Sequence, residues 1–309
     1  MLKIFANWGK PRAFNQGWLQ VSEIHKIFYQ ELGNPQGLPV ICFHGGPGYW
    51  SRAETAKKFD LRKCRVVLFD QRGCGKSQPL GEVRENTTHD LVDDAAKLLQ
   101  HLGIKNKVVV FGSSWGTTLA LLFAEKYPQS VEKLFLSKVF LADKISREWE
   151  QRCSGWFYPD IMDELRAPIK KEMKTAEFYY KEIMSDDLQK RLQAVNLYGS
   201  YENVLGSLQP QLGRGEVREA EVMSCRVMMH YAANNFFLRE DEIIKGIDAV
   251  QKMPVCVVHN RLDMVCPLVG AYQLKQALPE AEMHIVPDYG HGSKLLSREE
   301  GKCLRKWGI

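Results

Sequence analysis

The chain has 309 residues, 45% hydrophobic and 26% charged, which is apolar material enough for a large core plus an insertion. Its net charge of +5 is scattered with no basic block, no run approaches the roughly 18 apolar residues of a membrane span, and residues 1–10 contain no apolar leader core; the expectation is a cytoplasmic protein that binds neither nucleic acid nor membrane. Its eight cysteines, at 42, 64, 74, 153, 225, 256, 266 and 303, include no C-x-x-C, so reduced thiols are expected, with neither a disulfide framework nor a metal site.

The first clear strand, Val40-Ile41-Cys42-Phe43, runs into His44-Gly45-Gly46-Pro47-Gly48. Glycines there let the main chain approach a substrate carbonyl, and Pro47 stiffens the loop. A phosphate cradle is the competing reading, but the segment lacks both the Lys-Ser/Thr of a P-loop and the G-x-G-x-x-G spacing of a dinucleotide site. Thr87-Thr88-His89-Asp90 has the form of a capping box, and Leu91, Ala95, Leu98, Leu99 and Leu102 trace one apolar helix face before Gly103 ends it.

The strand Val108 to Phe111 meets Gly112-Ser113-Ser114-Trp115-Gly116, and a helical stretch follows from Thr117 to Tyr127. G-x-S-x-G between strand and helix is the nucleophile-elbow pattern; it selects Ser114, with Ser113 in the variable position. The backbone N–H of Trp115, the residue after the serine, then supplies one oxyanion donor, and the loop after an early strand should supply the other. After the strand Val131 to Leu136, β-branched strands vanish between Phe140 and Ile247, where the pattern turns helical, charged and rich in aromatics. The division expected is an α/β core over 1–139 and 248–309, with a helical cap over 140–247 lying above the elbow. Alternating strands and helices in the core predict a mostly parallel sheet flanked by helices.

A nucleophilic serine needs a base, and the base needs an orienting acid. His291 lies between Gly290 and Gly292 on the loop after the strand Glu282 to Val286, whereas His259 and His284 sit inside strands. Asp263 follows the strand Val255 to Val258; Asp143, after an earlier strand, is the alternative acid, and Asp288 reads as a turn-former. The order Ser114, Asp263, His291 is that of the α/β-hydrolase fold.

His44-Gly45-Gly46-Pro47-Gly48, Asp70-Gln71-Arg72-Gly73-Cys74-Gly75-Lys76-Ser77, Asn86-Thr87-Thr88, the elbow, Asp263 with Cys266-Pro267, and Gly290-His291 together resemble the proline iminopeptidase (prolyl aminopeptidase) family of α/β-hydrolases. The resemblance implies an enzyme that releases an N-terminal residue, preferably proline, from a small peptide or aminoacyl substrate through an acyl-enzyme, with no cofactor. It implies that Gly46 and Trp115 form the oxyanion hole, that Gly45, Glu202 and Met228 belong to the substrate-binding wall, and that Asp70 to Ser77 is a structural turn after the strand Arg65 to Phe69 that supports the floor of the site. Tyr201-Glu202 matches the family's Trp-Glu, making Glu202 a candidate amine-binding carboxylate. Two departures stand out: Met228 occupies the place of a second acid, and Leu136-Ser137-Lys138 replaces the family's Leu-Arg-Gly. The alternatives to the aminopeptidase are an esterase or amidase for small acyl groups, and a noncatalytic binding protein on the same fold.

Overall fold

The computed structural model describes residues 11–170, 172–207 and 215–309; residues 1–10, read above as lacking a leader core, and cap positions 171 and 208–214 lie outside that description. Eight strands form one sheet: β1 (Ala13–Gln20), β2 (Lys26–Gly33), β3 (Leu38–Phe43), β4 (Cys64–Phe69), β5 (Val108–Ser113), β6 (Val131–Ser137), β7 (Val255–Leu262) and β8 (Glu282–Tyr289). Their order is β1-β2-β4-β3-β5-β6-β7-β8. β1 and β2 pair antiparallel, as do β2 and β4, and every later pairing is parallel.

The central strands are apolar on both faces because both are covered. In β3 and β5, Ile41, Phe43, Val108 and Val110 enter one core, while Val40, Cys42, Val109 and Phe111 enter the other. On the first side lie α1 (Thr88–His101) and α2 (Trp115–Lys126). α1 starts as its sequence demands: Thr87 and Asp90 exchange the two hydrogen bonds of a capping box. Every residue of α2 from Trp115 to Ala124 is buried, as expected of a helix that is hydrophobic all round.

Among the described residues, six α-helices intervene between β6 and β7: α3 (Lys144–Gln151), α4 (Pro159–Arg166), α5 (Thr175–Ile183), α6 (Leu188–Ser207), α7 (Glu219–Ala233) and α8 (Glu242–Gly246). Tyr179, Tyr198, Tyr201 and Tyr231 are fully buried among them. The Tyr231 hydroxyl donates to Asn86 Oδ1 at 2.7 Å, and Asn86 Nδ2 donates to the carbonyls of Arg72 (3.2 Å) and Glu82 (2.9 Å), tying α7 to the core turn. That turn is stiffened by the buried Arg72 guanidinium, which donates to both Asp94 oxygens at 2.6 and 2.7 Å. The chain returns through α9 (Leu268–Ala277) on the first face and α10 (Lys294–Lys306) on the second. Among the described residues, no helix is long and apolar enough to cross a membrane.

The hairpin β1/β2 lies ahead of the first strand legible in the sequence. β1 is an edge strand in which Trp18 is 52% exposed, so no apolar run announces it. In the parallel part, Phe43 pairs with Gly112, Gly112 with Leu136, and Leu136 with Val257. The carboxyl ends of β3, β5, β6 and β7 are therefore level, and their loops converge at one edge, the usual ligand-binding edge of such sheets.

Candidate active site

The turn from β5 into α2 is as tight as its sequence suggests. A Cβ on Gly112 would lie 2.5 Å from the Gly116 carbonyl oxygen, and one on Gly116 would lie 2.1 Å from that of Phe43. Between them Ser114 has φ 58° and ψ −131°, a backbone conformation costly for a side chain and typical of functional positions. It is held by hydrogen bonds from its N–H to the Ser137 carbonyl (2.9 Å) and from Thr117 N–H to its own carbonyl (2.7 Å).

His291, on the loop after β8, is anchored by its N–H to the Gly206 carbonyl at 3.1 Å. Its Nε2 lies 2.9 Å from Ser114 Oγ, and its Nδ1 lies 2.9 and 3.0 Å from the two oxygens of Asp263. Asp263 is buried and accepts the N–H groups of Val265 (3.0 Å) and Cys266 (2.9 Å). Burial by itself would raise its pKa, but the His291 charge and hydrogen bond, with His259 and the Cys266 N–H, hold it below the ordinary carboxylate value. An ionised acceptor at Nδ1 places the proton there and leaves the Nε2 lone pair facing the serine, so this geometry can take the hydroxyl proton during attack on a carbonyl.

The other candidates are occupied elsewhere. Asp143 caps α3, accepting from Ser146 N–H at 2.8 Å and from its hydroxyl at 2.6 Å. Asp288 accepts from the Tyr289 N–H at 3.0 Å. His259 is fully buried; its Nδ1 accepts from Val139 N–H (3.0 Å), so its Nε2–H donates to the Cys266 carbonyl (2.8 Å). That bond fixes the loop whose Cys266 Sγ lies 3.9 Å from Ser114 Oγ. His284 shares a cluster with Cys256 and Cys303, whose ligand atoms lie within 4.8 Å of one another. Its nitrogens, however, pair with Glu282 (2.8 Å) and Glu299 (3.1 Å), and burial pushes both thiols up, so the donors are not arranged as metal ligands.

Trp115 is the first residue of α2, so its N–H has no intrahelical acceptor. The facing loop comes close: a Cβ on Gly45 would lie 3.2 Å from both the Ser113 oxygen and the Ser114 Cβ. His44 fixes that loop. Its Nε2 accepts from Gln71 N–H at 3.0 Å, which leaves Nδ1–H to donate to the Gly45 carbonyl at 2.7 Å. Gln71 in turn links both halves, donating to the His44 carbonyl (2.9 Å) and accepting from the Trp115 indole (3.0 Å). Gly46 and Trp115 both line the cavity that holds Ser114.

That cavity is small and enclosed, with Phe140, Leu205 and Phe236 as apolar walls. Glu202 and Met228 line it as the sequence suggests, and a second carboxylate joins them: Glu150 of α3. Burial, then the neighbouring Glu150 charge, pushes Glu202 up to about 8, against a hydrogen bond from Tyr49. Glu150 is raised by burial despite accepting the Tyr198 hydroxyl. No motif flags Glu150, because a carboxylate on a charged amphipathic helix looks solvated until the helix is docked. A wider chamber of about 910 Å³ also reaches Ser114; it shares Gly46 and Glu202 with the small cavity and is lined besides by His291, Gly45 and Lys138.

A family model described as the alpha/beta hydrolase fold matches residues 39–297. The chain is 38% identical over 288 residues to the probable proline iminopeptidase of Leptolyngbya boryana, spanning 90% of this chain and 88% of that protein. It is 37% identical over 278 residues to the proline iminopeptidase of Neisseria gonorrhoeae, spanning 88% and 89%. The fold is similar to that of a proline iminopeptidase-related protein from Thermus thermophilus, with a TM-score of 0.61 at 18% identity, covering 94% of this chain and 96% of that one.

Proposed function

The chain belongs to the proline iminopeptidase family of α/β-hydrolases, and on that premise we propose how this serine hydrolase releases N-terminal proline from peptides. Ser114 Oγ attacks the carbonyl carbon of the N-terminal residue while His291 Nε2 takes its proton. Asp263 holds the ring in the required tautomer and stabilises the imidazolium that forms. The N–H groups of Gly46 and Trp115 receive the developing oxyanion; removing one such donor in a serine hydrolase costs about 10² to 10³ in turnover. His291 then protonates the departing amide nitrogen. Water, activated by the same imidazole, hydrolyses the ester and frees Ser114.

The observation that carries the aminopeptidase reading is the placement of Glu150 and Glu202 in the small pocket beside Ser114. Two carboxylates in one recess form an electrostatic sink for a cation, and apolar walls of that size suit a proline ring. The free ammonium of the substrate supplies the cation in this reading, a charge-assisted contact. Glu150 stands in for the acid that Met228 lacks. We place the protein in the cytoplasm, where its eight cysteines, none in a disulfide, stay reduced.

The test is a panel of prolyl, alanyl and N-acetyl anilides with simple acetyl esters, run on purified protein. Cleavage of free aminoacyl anilides well ahead of their N-acetylated forms supports the reading. Ester hydrolysis with no aminoacyl cleavage would make this chain a small-acyl esterase instead.

A further inference from the structure

We propose that Lys138 binds the free α-carboxylate of the leaving peptide, so that the enzyme selects short peptides ending within its wider chamber. This rests on the acyl-enzyme reading and adds the half of the substrate beyond the scissile bond.

The side on which the leaving group lies follows from the chemistry. His291 must deliver a proton to the departing nitrogen, so that nitrogen lies where His291 opens, and His291 lines the wider chamber and not the enclosed acyl pocket. Lys138 lines the same chamber, at the carboxyl end of β6. Its neighbour Ser137 is in register with Ser113 of β5, which places Lys138 one strand from the nucleophile. Its charge reaches the loops beside the triad: it adds slightly to burial in holding the His259 pKa down, and slightly opposes the burial that raises Cys266.

Among the described residues, three cations line the chamber: Arg52, Lys58 and Lys138. Lys58 is paired with the buried Glu300, which also accepts the Ser137 hydroxyl at 2.5 Å. Arg52 is exposed, its guanidinium 5.7 Å from the Trp50 ring centre. Lys138 has no side-chain hydrogen bond or ion pair among the described residues, and it is only partly exposed.

The backbone makes the lysine costly. Lys138 has φ +59°, in the left-handed region where L side chains are disfavoured and glycine is at ease. A strained lysine kept where glycine fits better is what a functional side chain there would produce. Its position also completes a polarity: Glu150 lines the acyl pocket alone, Glu202 borders both spaces, and the cation stands on the leaving side. A short zwitterionic peptide matches both ends, whereas a long chain or a blocked carboxyl group has no charge to place against Lys138.

The experiment is titration calorimetry of the full chain carrying Ser114→Ala, so that neither ligand is turned over, with alanylalanine and with alanylalanine amide, which share an amine and differ only in the carboxylate. With Lys138 in place it should bind the acid about 10-fold more tightly, the scale of one hydrogen bond to a charged group in a partly wet site. The preference should shrink as salt rises and fall to near unity in both Lys138→Met and Lys138→Gly. The glycine variant suits the backbone, so it carries the test if the methionine variant folds poorly. Equal binding of acid and amide with Lys138 in place, or a preference that survives in both variants, overturns the proposal. Because binding is read directly, that failure is separate from a failure to cleave prolyl anilides, which would overturn the aminopeptidase reading.

Discussion

His291 Nε2 stands 2.9 Å from Ser114 Oγ although 177 positions separate the two in the chain. The contact is closed by sheet order: β5, β6, β7 and β8 are consecutive parallel neighbours, so the loops after β5, β7 and β8 emerge at one edge. Three side chains remote in sequence thus meet without any long irregular segment crossing the sheet.

Replacing Ser114 tests its proposed role as nucleophile directly. Ser114→Ala should lower turnover by several orders of magnitude, on the roughly 10⁶ scale found when a triad serine is lost. Ser113→Ala should keep most activity. A fluorophosphonate should label wild type at Ser114 and leave Ser114→Ala unlabelled; a label mapped to Ser113 would move the assignment.

Asp263→Asn should cut turnover by up to about 10⁴, since the amide no longer selects the tautomer with Nε2 free. Asp143→Asn should act on stability instead, weakening a helix cap by about 1 kcal/mol or less, seen as a small fall in Tm with turnover preserved. Steady-state kinetics and melting curves on the two variants separate the roles. Equal kinetic damage from both would return the acid role to dispute.

The carboxylate pair predicts a pH dependence in KM. Glu202 is pushed up to about 8 in the empty pocket, so below that pH an arriving ammonium must displace a proton. A free α-amine loses its own charge near pH 8, so kcat/KM for prolyl anilide should climb toward pH 8 and decline above it. An acetyl ester should show no such KM optimum. Glu202→Gln should cost aminoacyl substrates about 2 to 5 kcal/mol of transition-state binding and acetyl esters much less. Glu150→Gln should act in the same direction, and Met228→Glu should sharpen preference for the free amine. Equal slowing of both substrate types by Glu202→Gln would remove the ammonium from its assigned place.

Far from the site, Glu125 of α2 is half-buried, and its Oε1 has no hydrogen-bond partner among the described residues. Burial first, then the charge of Glu242, pushes it up to about 8. A raised acid pKa means the folded state holds the proton more tightly than the unfolded chain. Its contribution is therefore fully present below the ordinary carboxylate value of about 4.5 and is lost as pH rises to about 8. Glu125→Gln should flatten that part of the stability profile and raise Tm at pH 8; denaturant midpoints from pH 5 to 9 would check this. A profile unchanged by the substitution would refute it.

Much of this was legible in the chain itself, because local chemistry wrote it there. The elbow needs glycines at 112 and 116, since any Cβ would strike backbone. α1 needs the Thr87 and Asp90 cap. Apolar strands such as Val108 to Phe111 announce a sheet covered on both faces. The antiparallel hairpin at the edge was silent, because β1 alternates partly buried and exposed residues without an apolar run. Glu150 was silent for a different reason. Its meaning comes from a recess shared with Glu202 on another helix, and burial and proximity between distant segments exist only once the cap has docked. The same holds for Lys138: the sequence displays a departure from a familiar tripeptide, while the positive φ and the chamber beside His291 belong to the folded chain. Composition, period and caps act over a few residues and can be read in order. The pairing of charges across the site is set by sheet register and helix packing, which no local stretch encodes.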